Sequence, residues 1–332
     1  MSTITASDHE LAKKVSDAHR SIKEQISTII VGQDQVVEEV LLSILAEGHC
    51  LIVGVPGLAK TLLISTLAKT LDLEFNRIQF TPDLMPSDIT GTEVIQEDKV
   101  TRERIFKFIQ GPVFANVVLA DEINRTPPKT QAALLQAMQE KKVTVGGKTY
   151  PLPDPFFVLA TQNPIEQEGT YPLPEAQLDR FFFQINIGYP SLEEEKEIIK
   201  KTTSGSFYEP KVALNAKEIK AVQGIIRRVP VADSVVDYAV RLARATRPED
   251  ALAPDIIKKW IGWGAGPRAS QTLILAAKAR ALLTGEMTPS VEDIKNLVFP
   301  AFRHRLVLSF QAQAEGITAE QVLRKLLEII KE

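Results

Sequence analysis

Gly54-Val-Pro-Gly-Leu-Ala-Lys-Thr61 follows directly on the apolar run Cys50-Leu-Ile-Val53 and leads into a helical pattern ending near Leu71. A buried strand that passes through a glycine-containing loop into Lys-Thr and a helix is an arrangement that cradles phosphate. The loop N–H groups point inward around the β- and γ-phosphates, and the helix N-terminus adds its partial positive charge. Lys60 then places a point charge on the γ-phosphate, and the Thr61 hydroxyl can ligate Mg²⁺. The general pattern has Gly just before the Lys, and Ala59 stands there instead. A methyl group is the smallest intrusion a side chain can make, so the loop reads as a tolerated variant. Glycine-containing turns after strands are common, but one with Lys-Thr at this spacing is rarely idle.

Outward from the loop, strands and helices alternate. Residues 9–28 form a charged amphipathic pattern, and Val36–Glu47 a second helix leading into strand 50–54. Helix 60–71, a strand Phe75–Phe80, an irregular segment, strand Val117–Ala120, helix Lys129–Glu140 and strand Phe156–Ala160 follow. This order predicts a parallel sheet covered by helices on both faces, and runs such as Val117-Val-Leu-Ala120 suit strands buried on both sides. Beyond about residue 190, segments 191–203, 215–228, 232–246, 267–284, 290–298 and 318–331 carry 3.6-residue apolar spacing, with few strand signals. The expected organisation is an N-terminal helix over 1–27, an α/β nucleotide-binding core over 28–203 and a smaller all-α domain over 204–332. Thr203–Pro210 serves as linker.

Two strand ends carry polar chemistry. Val117–Ala120 ends in Asp121-Glu122, where Asp121 can hold Mg²⁺ with its hydration shell and Glu122 can orient and polarise an attacking water. Acids at strand ends also cap helices or are simply solvated; behind a phosphate loop the chemical reading prevails. The strand Phe157–Thr161 ends in Gln162-Asn163-Pro164, where Asn163 can position the same water and also forms turns well. Arg180, in Pro174–Phe181, lies far along the chain from the loop. It could reach a neighbouring subunit's γ-phosphate or form a local pair with Asp179. Arg268 opens the 267–284 helix after Gly264-Ala-Gly266-Pro267, where it could meet phosphate or remain a plain surface arginine.

Composition limits the alternatives. The 39 basic and 42 acidic residues of this 332-residue chain nearly cancel to −3, and no basic stripe stands out. That argues against a nucleic-acid partner. Cys50 is the only cysteine, which excludes an intrachain disulfide. No secretory signal and no membrane-spanning run is evident, so a cytoplasmic location without membrane insertion is expected. The four histidines are dispersed, leaving Mg²⁺ as the one metal expected.

Together these motifs resemble the AAA+ ATPases, and more narrowly the MoxR family, over roughly residues 28–330. The resemblance rests on Gly54–Thr61, Asp121-Glu122-Ile-Asn-Arg125, Ala160–Pro164, the stretch Glu166–Phe181, Gly266-Pro-Arg268 and Thr81–Gly91. It implies a P-loop NTPase core with a helical lid, working as a homo-oligomeric ring, usually a hexamer, with ATP between subunits. It assigns ATP to Gly32, Gln33, Gly54, Val55, Pro56, Gly57, Leu58, Ala59, Lys60, Thr61, Leu62 and Asp121, with Mg²⁺ on Thr61 and Asp121. Catalytic roles fall to Glu122, Asn163, Arg180 and Arg268, with the cis or trans action of Arg268 left open. It implies chaperone-like remodelling of a partner, often one with a von Willebrand factor A domain. A nucleic-acid motor and a magnesium-chelatase-like ATPase serving cofactor insertion are the alternatives. Two insertions resemble hairpins of the same clade, at about 92–109 and 141–152. In the second, Gly146-Gly147 suits a two-residue turn with both positions at φ > 0. These hairpins would face a pore or client, or in the Gly-Gly case act only as a tight connector.

Overall fold

A computed structural model describes residues 6–97, 104–166, 168–203 and 208–332. Helices α1 (Ala6–Ile29) and α2 (Asp34–Leu45) precede β1 (Cys50–Val53), α3 (Lys60–Thr70), β2 (Phe75–Gln79) and α4 (Pro86–Thr90). A hairpin of β3 (Gly91–Glu97) and β4 (Arg104–Gln110) leads to β5 (Val117–Asp121) and α5 (Pro128–Glu140). A second hairpin, β6 (Lys142–Val145) and β7 (Lys148–Pro151), precedes β8 (Phe157–Gln162), α6 (Glu175–Leu178) and β9 (Phe183–Asn186). The remainder is α7 (Leu192–Thr203), α8 (Ala216–Arg228), α9 (Asp233–Ala245), α10 (Asp255–Trp260), β10 (Ile261–Trp263), α11 (Pro267–Thr284) and α12 (Val291–Phe302). It closes with β11 (Val307–Leu308), α13 (Phe310–Ala314) and α14 (Ala319–Ile329). The tip of the first expected insertion (98–103), Gln167 and residues 204–207 of the expected linker lie outside the described residues.

The five-stranded sheet runs β2-β5-β8-β1-β9, all parallel. Its apolar runs divide between two faces with the two-residue period of a strand. Cys50, Ile52, Val117, Leu119, Phe157 and Leu159 join the core built with α1, α2, α3 and the helical C-terminal part. Leu51, Val118, Ala120, Val158 and Ala160 join the core built with α5 and Phe181. Both faces are dry, as a parallel sheet requires.

Helix α1 belongs to this core. Val15, Ile22 and Ile26 are buried along one stripe, in the same cluster as Leu273 and Ala277 of α11. The edge strand β9 was not expected from sequence: it pairs only with β1, and Gln184 and Asn186 interrupt its apolar side chains. The C-terminal part is helical apart from the short antiparallel β10–β11 pair.

Both expected hairpins are present. β3 and β4 pair from Gly91↔Gln110 to Glu97↔Arg104. Gly146 and Gly147 sit at φ 57° and 77°, as the two-residue turn demands. The hairpins lean on each other through Phe108 and Tyr150, whose rings stack at 4.1 Å.

Candidate nucleotide site

The sheet order brings the polar strand ends together. β1, β8, β5 and β2 are parallel neighbours, so the phosphate loop, Asn163, the Asp121-Glu122 pair and Gln79 all emerge at one edge. Ligands bind at the carboxyl ends of such sheets. Gly54 leaves β1 so close to the backbone after β9 that a Cβ there would meet Ile187 O at 2.7 Å. Lys60 opens α3, and its Nζ donates to Gly54 O at 2.6 Å across the loop. Burial lowers the Lys60 pKa, against the pull of Asp121 and Glu122 on its charge.

The acidic pair is held from several sides. Asp121 Oδ1 accepts from Thr161 Oγ1 at 2.6 Å, and Oδ2 accepts from Arg77 Nη2 at 2.7 Å. The Glu122 backbone takes φ 59° and donates its N–H to Thr161 Oγ1 at 2.9 Å. A left-handed Glu is uncommon and marks a backbone fixed by its surroundings. Glu122 Oε2 accepts from Gln79 Nε2 at 2.7 Å and lies 3.2 Å from Arg125 Nη1. Arg125 also forks onto Glu166 at 2.6 and 2.8 Å, and that bonding holds the Glu166 carboxyl below its usual range. Asn163 is buried; its Oδ1 accepts from Ile165 N at 3.2 Å, the turn expected before Pro164.

On the other side of the loop lies a cleft of 530 Å³ lined in part by Gln33, Val36, Pro56–Ala59, Leu62, Ile187, Tyr189 and Glu194. Gln33 Nε2 donates to Leu58 O at 3.3 Å, tying the 31–33 segment to the phosphate loop. Gly32 lies against the Glu194 side chain, Val55 packs on the core, and Thr61 follows Lys60 into α3. The apolar wall of Val36, Leu58, Leu62 and Ile187, with the amides of Gln33 and Asn186, suits a flat base.

Thr61 and Asp121 are the groups that the sequence suggested for Mg²⁺. Among the described residues no group of three or more His, Cys, Asp or Glu could hold a metal. An ion here would therefore draw on nucleotide oxygens and water, the ordinary situation of Mg²⁺. Asp121 fits this: two neighbours already fix its orientation, as outer partners do for metal-binding carboxylates.

Arg180 and Arg268 lie elsewhere. They share a 340 Å³ cavity with Asp179, Arg227, Lys141 and Arg305, and no residue lines both this cavity and the cleft beside the phosphate loop. Asp179 pairs with Arg305 at 2.8 Å and with Arg268 at 3.5 Å, in place of the local pair with Arg180 left open by the sequence. Arg180 is exposed, with Nη1 3.5 Å from Leu135 O. The structure thus gathers the sequence-predicted residues into two groups.

Sequence reasoning missed Arg77, Gln79 and Thr161, and did not single out the contacts of Arg125 and Glu166. The signal for the first two was their same-face spacing at the end of β2, usable only once β2 is known to flank β5.

Residues 49–183 match the family of ATPases associated with various cellular activities, and residues 254–326 match the AAA lid domain. The chain is 47% identical to the Mycobacterium tuberculosis protein Chaperone MoxR1, over 96% of this chain and 83% of that one. It is 29% identical to protein MoxR of Paracoccus denitrificans, over 89% and 91%. A solved Cytophaga hutchinsonii protein, provisionally described as an ATPase, superposes with a TM-score of 0.90 at 40% identity, covering 98% of both chains.

Proposed function

The chain belongs to the MoxR family of AAA+ ATPases, and from that premise we propose that it hydrolyses ATP in a homo-oligomeric ring to remodel a client protein. The observation that carries this reading is the split of the site. Loop, acidic pair and Asn163 converge at one sheet edge, while Arg180 and Arg268 line a separate cavity. A second subunit turning its arginine cavity toward the first one's phosphate loop would complete one site, which gives ATP positions between subunits, six in a hexamer.

In this mechanism the base occupies the cleft beside Gln33 and Leu62. Lys60 and the loop N–H groups hold the β- and γ-phosphates. Mg²⁺ on Thr61 and Asp121 would neutralise phosphate charge. Glu122, aimed by Gln79 and Arg125, orients and polarises the attacking water, and Asn163 adds a hydrogen bond to it. Arg180 and Arg268 from the neighbour meet the charge that grows on the γ-phosphate.

The client side rests on two supports: the chaperone designation of the M. tuberculosis relative, and the β3–β4 ribbon, which exposes Ile95, Ile105, Phe106 and Ile109. Exposed apolar side chains on a ribbon suit protein contact. A client with a von Willebrand factor A domain is the proposed class.

The test compares wild type with Glu122→Gln for ATP turnover, with mass in solution measured with and without ATP and Mg²⁺. Glu122→Gln is expected to bind ATP, hydrolyse it about 10²-fold more slowly and remain ring-sized. A monomer that turns over ATP at full rate would contradict the proposal.

A further inference from the structure

Arg180 sits in a short segment, Asp179–Phe182, between α6 and β9. Its N–H groups bond to α6 and its turn and to His49 O, while the carbonyls of Asp179, Phe181 and Phe182 and the Asp179 carboxylate turn to one side chain from the lid. Arg305 lies in the single 3-10 turn after α12, and its side chain is 3% exposed. Its Nε donates to Asp179 Oδ1 at 2.8 Å. Nη2 donates to Phe181 O at 2.8 Å and to Asp179 O at 3.4 Å, and Nη1 to Phe182 O at 3.2 Å. The backbone carbonyls on both sides of Arg180 therefore bond to one guanidinium. Nη1 also bonds Ala301 O, anchoring the group to its own helix. His304, the preceding residue, adds a bond from Nε2 to Phe181 O at 3.0 Å.

The same guanidinium reaches the second arginine. Nη2 lies 3.3 Å from Thr272 Oγ1 on α11, and Thr272 stands one helical turn from Arg268 on the same face. Asp179 closes the circuit, with Oδ1 on Arg305 and Oδ2 3.5 Å from Arg268 Nη1. Arg268 is half exposed, whereas Arg305 is not. If Arg268 swings away to a phosphate, Asp179 keeps its buried partner and no carboxylate is stranded. The Asp179 carboxylate is also about a third exposed, so water helps to solvate it when Arg268 leaves.

We propose that Arg305 is a positioning residue for ATP hydrolysis: it sets the backbone of Arg180 and the resting partner of Arg268 together, so that the lid and both arginines move as one unit. The proposal rests on the shared-site reading above. Lys at this position would keep the charge but lose the planar fork that spans acceptors from three segments.

The experiment measures turnover and binding of a non-hydrolysable ATP analogue for Arg305→Lys, alone and in mixed assemblies. Arg305→Lys is expected to lose at least tenfold in kcat, with analogue affinity within twofold of wild type. Mixing it with Lys60→Ala should restore turnover, because Lys60→Ala supplies sound arginines to its neighbour's loop. Mixing it with Arg180→Ala should not. A plain structural defect would lower binding as well and would gain nothing from Lys60→Ala; either result overturns the proposal, as does wild-type kcat. Arg180→Ala mixed with Lys60→Ala is the control. Recovery there alone sinks the role of Arg305, and failure in both sinks the shared-site reading with it. Should Arg305→Lys lack a cooperative melt, Asp179→Asn takes its place with the same expected pattern, and full turnover in that variant contradicts the proposal.

Discussion

Ala59 shows how one residue carries the local logic of the loop. It sits at φ 54°, ψ 24°, the left-handed region that costs an L-residue roughly 1–2 kcal/mol. This is the physical reason glycine commonly precedes the lysine. Glycine would relieve that strain but would lose roughly 0.5–1 kcal/mol to the entropy of the unfolded chain, which leaves a net gain of about 0–1.5 kcal/mol. Ala59→Gly is therefore expected to be as stable as wild type or up to about 1.5 kcal/mol more stable and to keep ATP affinity. Ala59→Val, branched at Cβ, should cost about 1–3 kcal/mol in urea denaturation. A Val variant as stable as wild type would refute the strain argument. Lys60→Ala should weaken ATP binding at least tenfold with little change in melting, since it removes charge from a half-buried position without opening the core; equilibrium titration with ATP checks it. At this scale the placement of Lys60, Asp121, Glu122 and Asn163 at one sheet edge was legible, because each follows closely on an apolar strand. Arg77 and Gln79 were not, because on β2 they read as the polar half of an alternating strand. Only the β2-β5 pairing turns them toward the acidic pair.

At the scale of elements, long periodic helices and buried strands were readable, and short or interrupted ones were not. β9 is four residues long with two polar ones, and its burial comes from β1, more than a hundred residues earlier. Helix α12 runs through Pro300 to Phe302, past the expected end at 298. Proline removes one N–H donor, but Val298, Pro300, Ala301 and Phe302 are all buried, and packing outweighs the loss. The Gly146-Gly147 hairpin was readable because its turn chemistry is local. Helix α2 carries a pH dependence. Glu39 is 6% exposed, accepts from Gln35 Nε2 at 2.8 Å, and burial raises its pKa to about 7 despite Arg303. The folded chain thus binds a proton more tightly than the unfolded chain between pH 4.5 and about 7, and stability falls as pH rises through that window. Glu39→Gln should flatten the decline and add on the order of 2–3 kcal/mol at pH 8 relative to pH 4.5. Melting curves of both proteins across pH check this; parallel curves would contradict it.

At the scale of the whole molecule, the fold class followed from the alternation of strands and helices, and the parallel sheet with its helical lid matches it. What no spacing could supply was which functional residues share a cavity. Arg180 lies 120 positions beyond Lys60 in the chain, and only the folded arrangement places it with Arg268 and Arg305, apart from the phosphate loop. The central claim is that two subunits build each site. The direct measurement is ATP turnover of Arg180→Ala and Lys60→Ala, each alone and then mixed. The account predicts that each alone is inactive and that the mixture recovers turnover, because some interfaces then pair an intact loop with an intact arginine. Inactivity at every mixing ratio, with both proteins folded and co-assembled, would contradict it.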